Sequence, residues 1–109
     1  MKLGPNVIIS KDKLLKYLLV PRREDDKSEF LKSRGYTLAN WMQLEKDMRI
    51  AAEIYEAKET KVTPYGKVYE VKAKWRTPNT KEISVVMVWI KEETGGIKFI
   101  TLYPEKEKR

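Results

Sequence analysis

The hydrophobic period changes once along this chain, and that change constrains its fold more than any other feature. Up to Tyr55 the apolar residues recur at steps of three and four. From Lys58 onward Tyr69, Val71, Ala73 and Trp75 alternate with Glu70, Lys72, Lys74 and Arg76. A repeat near 3.6 lines one face of a helix, whereas a repeat of two lines one face of a strand. Helices first and strands second predict an α+β domain, with N-terminal helices packed on one face of a three- or four-stranded antiparallel sheet.

The segmentation follows from local chemistry. Asn6 to Ile9 reads as a short strand, and Ser10 as the N-cap of a helix carrying Leu14, Leu15, Leu18 and Leu19. Pro21 pushes Val20 out of helical space, so this helix stops near Leu19. Asp26 and Glu29 stand at capping-box spacing ahead of a short second helix, which Gly35 closes. Asn40 and Gln43 repeat that spacing, followed by a stripe of Trp41, Leu44, Met48, Ala51 and Tyr55. The opposite side, with Glu45, Lys46, Asp47, Arg49 and Glu53, mixes both signs of charge as a solvated surface does.

Turn signals at Pro64 to Gly66, Pro78 to Thr80 and Thr94 to Gly96 separate the strands. Val85 to Ile90 is continuously apolar, the pattern of a central strand covered on both faces. The last strand runs from Ile97 to Tyr103. Residues 1–104 then make one domain, and 105–109 a frayed charged tail.

The composition limits the chemistry. Among 109 residues there is no His and no Cys, and the net charge is +7 from 23 Lys and Arg against 16 Asp and Glu. This removes the commonest acid–base residue and the commonest soft metal ligands. The charge excess suits a polyanion: RNA, another nucleic acid, or an acidic protein. Glu24, Asp25 and Asp26 suit a helix cap that balances Arg22 and Arg23 better than a magnesium site, so neither metal nor cofactor is expected. Abundant Lys and Glu without Cys matches thermophile composition. No stretch is long enough for a membrane span, and the expected location is the cytoplasm.

Several residues combine this charge with hydrogen-bonding power. Lys27 follows the cap residue Asp26, where it either meets an anion or is an ordinary surface lysine. Tyr65 in Thr63-Pro64-Tyr65-Gly66 presents its phenol at a turn or pins the turn to the core. Lys72, Lys74 and Arg76 share one face of a strand, with Lys67 near its start. Trp75 is a candidate for base stacking, whereas Trp41 and Trp89 read as core. Thr101 and Tyr103, on the same face of the last strand as Phe99, are either core-edge hydroxyls or the floor of a cleft.

Lys13 to Leu19 (KLLKYLL), Lys27 with Phe30, Gly35-Tyr36-Thr37, Asn40-Trp41, Thr63-Pro64-Tyr65-Gly66, Thr77-Pro78-Asn79, Val88-Trp89-Ile90 and Thr101-Leu102-Tyr103-Pro104 together resemble a small prokaryotic family of unannotated domains. That family is similar in layout to the barnase, EndoU, colicin and RelE ribonucleases, many of them toxin domains. The family pattern has a His-Pro where this chain has Arg22-Arg23-Glu24-Asp25-Asp26. The resemblance implies a toxin-like endoribonuclease; without His, Lys, Arg and Tyr would serve metal-independent cleavage through the RNA's own 2′-hydroxyl, and their chemistry and positions make Lys27, Tyr65, Arg76, Thr101 and Tyr103 the candidates at the reacting phosphate. Lys67, Lys72, Lys74 and Trp75 would hold the strand. It also implies an acidic antitoxin or immunity protein as partner. The alternative is a non-enzymatic basic module that binds RNA, DNA or an acidic protein.

Overall fold

The computed structural model describes residues 1–24 and 26–105. The helices lie on one face of a four-stranded antiparallel sheet whose spatial order follows the chain: β1 (Ala57–Thr63), β2 (Gly66–Arg76), β3 (Glu82–Lys91) and β4 (Ile97–Pro104). The odd-numbered residues Tyr69, Val71 and Ala73 of β2 and Ile83, Val85, Met87 and Trp89 of β3 are buried against the helix layer. That layer contributes Leu14, Leu18, Leu31, Tyr36, Leu44 and Met48, all at most 1% exposed.

The first helical segment is not the α-helix its leucines suggest. Lys13–Leu18 forms a π-helix, closed by the Leu19 amide bonding the Leu14 carbonyl at 3.1 Å. The wider turn lets Leu14, Leu18 and Leu19 all reach the core. The segment Asn6 to Ile9 reaches the sheet through a single parallel bridge from Ile8 to Lys98.

Both helix caps differ from expectation. Asp26 accepts hydrogen bonds from the amide and hydroxyl of Ser28, at 2.7 and 2.6 Å, and α1 (Ser28–Ser33) starts after Lys27. The later capping box is formed by Thr37 and Asn40 around a 3₁₀ turn, ahead of α2 (Trp41–Ile54); Gln43 instead bonds Asp47. Thr37, Asn40 and Gln43 stand at equal spacing, so sequence alone offers two registers for one motif.

Two glycines are fixed by geometry. Gly35 leaves α1 at φ +89°, in the left-handed region, where the chain passes Asn79 of the β2–β3 turn. Gly66 has φ +144°, and a Cβ there would lie 2.2 Å from the Lys91 carbonyl oxygen. The β1–β2 turn therefore sits directly against the end of β3.

The outer face of β3 differs from the expected double cover. Among the described residues no element packs over it; Val86 is buried by its neighbours, while Ser84, Val88 and Ile90 are half-exposed. Of the expected frayed tail, residues 106–109 lie outside the described residues. Glu105 is held, its amide bonding the Ser84 carbonyl at 3.0 Å.

Candidate functional site: the open face of the sheet

The strand registers define the rows that cross this open face. One row runs Lys58, Glu70, Val88, Thr101 from β1 to β4. The next runs Lys72, Val86, Tyr103, and beyond it Lys74 pairs with Ser84 and Arg76 with Glu82. Tyr103 and Glu70 stand on adjoining rows, close enough for the carboxylate charge and a side-chain hydrogen bond to act on the phenol. Desolvation first, then the Glu70 charge and this bond, hold the phenol above its ordinary pKa.

Thr101 and Tyr103 reach this face because β4 carries a bulge. Register slips by one residue at Ile100, between the pairs Trp89–Phe99 and Val88–Thr101. An inserted residue inverts the alternation beyond it. Phe99 and Leu102 therefore both point inward, at 4% and 0% exposure, and Tyr103 points out. The expectation that Thr101 and Tyr103 share the side of Phe99 is thereby overturned.

A second group closes the site at the β4 edge. The Tyr17 hydroxyl bonds the Thr101 hydroxyl at 2.8 Å. The Lys13 ammonium and the Arg22 guanidinium lie 5.0 and 4.6 Å from the centre of the Tyr17 ring. Arg22 also lowers the pKa of Asp26, although the two bonds from Ser28 are the main cause. Lys27, next along the chain, has its own partner and is half-buried at the start of α1.

The structure thus brings Lys72, Lys74, Arg76, Thr101 and Tyr103 to one face. It separates the remaining candidates. Tyr65, 79% exposed, tips the β1–β2 turn, and with Lys67 it lies at the far end of β2 from Arg76, roughly 30 Å away at about 3.3 Å per residue. Lys67 pairs loosely with Glu59 at 3.9 Å. Trp75 has inward parity, packs against the core and donates its indole proton to Tyr36 at 2.6 Å, so its ring is not an open stacking platform.

Sequence reasoning missed Glu70, Tyr17, Lys13, Arg22 and Lys58. Glu70 had left a signal as the one acid on a strand face otherwise carrying Lys72, Lys74 and Arg76. The lysines are not bare cations: Lys72 lies 3.8 Å from Glu105 and Lys74 3.6 Å from Glu82. These pairs are exposed and loose, so a ligand's phosphates can replace the carboxylates at little cost. Among the described residues no cluster of three or more metal-ligating side chains occurs.

A family model described as a domain of unknown function, DUF6883, matches residues 4–106. The chain belongs to this family. The match supports the resemblance to an unannotated family read from the motifs. No curated protein matches this DUF6883 chain. Among solved structures it is similar to a chain of a contact-dependent growth inhibition toxin–immunity protein complex from Klebsiella pneumoniae 342. The TM-score is 0.67 at 16% identity, covering 94% of this chain and 96% of that one. At that identity the likeness establishes the fold. No helix among the described residues is long and apolar enough to cross a membrane.

Proposed function

We propose that the chain is a toxin-related, metal-independent endoribonuclease acting on the open face of its sheet. The observation carrying this reading is the convergence of Glu70, Thr101 and Tyr103 with Lys58, Lys72 and Lys74 on adjoining rows of one face. Self-cleavage of RNA needs a base at the 2′-hydroxyl, an acid at the leaving oxygen and cations around the phosphorane. Glu70 takes the 2′-hydroxyl proton as that oxygen bonds phosphorus. The 5′-oxygen leaves with the Tyr103 proton, giving a 2′,3′-cyclic phosphate and a 5′-hydroxyl. The protonated Glu70 then returns its proton to the phenolate along the bond they already share. Lys58, Lys72, Lys74 and Arg76 supply positive charge, and Thr101, fixed by Tyr17, supplies a hydroxyl for a phosphate oxygen. The toxin–immunity neighbour supports a toxin-related role.

The test is incubation of the pure chain with total RNA in EDTA. Cleavage with cyclic-phosphate ends, falling at least a hundredfold in Glu70→Gln and Tyr103→Phe, supports the reading. Intact RNA at micromolar protein overturns it.

The second reading is a non-enzymatic module whose lysines and half-buried Val88 and Ile90 receive an acidic protein. The cleavage assay separates the two, since the module leaves RNA intact while binding an acidic polypeptide.

A further inference from the structure

Beside Glu70 the sheet opens into a cleft of about 560 Å³, lined by Lys2, Ile54, Tyr55, Glu56, Lys58, Glu70 and Lys72. It exists because β1 starts at Ala57, opposite Val71, and leaves the outer edge of β2 beyond that point to the end of α2. We infer that this cleft is a nucleobase subsite selective for guanine, holding the base of a nucleotide next to the bond broken at Glu70. The inference rests on the proposed RNA cleavage and adds to it the identity of the base.

The chemistry of the walls argues for this occupant. The volume falls in the range of small-ligand sites, and the walls join one apolar and one aromatic side chain to lysines and carboxylates, which suits a charged, planar ligand. Ile54, 55% exposed, and half-buried Tyr55 give the apolar surface. The Tyr55 hydroxyl donates to the Lys74 carbonyl, so the ring is held in place before any ligand arrives. Lys58 and Lys72 line the same cleft and offer ammonium groups to the phosphates of a bound nucleotide.

Glu56 decides between bases. A carboxylate offers two acceptor oxygens side by side and no donor. Guanine alone presents two adjacent N–H donors, N1 and N2, on its Watson–Crick edge. Adenine and cytosine each place an acceptor next to their amino group, and uracil flanks its one N–H with carbonyls. Glu56 is suited to such donors: it accepts from the Met1 amino group at 2.5 Å, a contact that a base would replace.

The experiment titrates the full chain with guanosine, adenosine, cytidine and uridine 3′-monophosphates and with inorganic phosphate, following backbone amide shifts. Guanosine monophosphate binding at least tenfold tighter than the others, with shifts at Ile54, Tyr55 and Glu56, supports the inference. So does loss of that preference in Glu56→Gln with phosphate affinity unchanged. Ile54→Asp, at an exposed position, should weaken all nucleotides without unfolding the protein. Equal binding of all four nucleotides, or a Glu56→Gln variant that keeps the preference, overturns the subsite and leaves RNA cleavage standing. RNA cleavage without nucleotide binding in the cleft does the same. Absence of both cleavage and nucleotide binding overturns both readings.

Discussion

Tyr103 on β4 and Glu70 on β2 stand on adjoining rows of the open face, on either side of strand β3, and the Glu70 carboxylate acts on the Tyr103 phenol. Because Tyr103 titrates above its ordinary value, folding favours the neutral phenol. Its contribution to stability is complete below about pH 10 and is lost as pH rises through the folded value. Tyrosine-resolved NMR titration should place Tyr103 above a free tyrosine, and Glu70→Gln should bring it back toward that reference. An unchanged titration in Glu70→Gln counts against the pairing.

A second chain of bonds ties the sheet to the helix layer. Trp75 donates to Tyr36, and Tyr36 donates to Asp47, at 2.6 and 2.5 Å. Burial first, then the bond to Asp47, pushes the Tyr36 phenol well above its ordinary range. Tyr36→Phe should cost about 1–3 kcal/mol in urea melts at pH 7, because the Trp75 indole and Asp47 both lose a partner. The variant should also lose part of the alkaline destabilisation that sets in above about pH 10, where ionising Tyr36 opposes folding.

Gly66 offers a backbone test with an internal control. Gly66→Ala meets the Lys91 carbonyl at 2.2 Å and should cost more than about 2 kcal/mol. Gly95→Ala, at φ +96° with nothing within 4 Å of its added carbon, should cost only about 1 kcal/mol from backbone strain. Equal losses in thermal melts would contradict the close approach of the β1–β2 turn to β3.

The bulge predicts the effect of a deletion. Ile100 is the extra residue, so removing it leaves Phe99, Thr101, Leu102 and Tyr103 in plain alternation, with Leu102 still inward and Tyr103 still outward. Removing Lys72 from β2, whose pairing with β3 has no extra residue, should cost several times as much, because it turns buried residues on one side of the cut to the open face. Similar melting temperatures for the two deletions would refute the assignment of the bulge.

Cation placement predicts the salt dependence of RNA binding. Replacing Lys72, Lys74 or Arg76 by Ala should reduce the log–log salt slope by roughly one unit each. Lys67→Ala, at the other end of β2, should leave it unchanged. A uniform effect of all four would mean that RNA does not track the open face.

The period switch made the two layers legible, because it depends only on which residues are apolar. Trp75 was legible too: its alternation with Lys74 and Arg76 already assigns it to the inward side. The caps were misplaced because Thr37, Asn40 and Gln43 repeat one spacing, and tertiary packing chose between them. The π-turn was hidden because its leucines also satisfy an α-helix. The Glu70–Tyr103 pair required the registers of three strands and a bulge, and nothing local at Ile100 announces one. Lys72, Lys74 and Arg76 could be grouped from a single strand, whereas Tyr65 and Lys67 were joined to them by charge and residue type, which carry no distance.

Sequential strand order also sets when the site comes into being. Lys58, Glu70 and Thr101 form a row drawn from the first, second and last strands, and Tyr103 arrives with the last. A chain emerging from the ribosome holds the lysines and the carboxylate long before it holds either hydroxyl. Until β4 is free to dock, the nascent chain carries the basic rows of β1 and β2 without the hydroxyls of Thr101 and Tyr103.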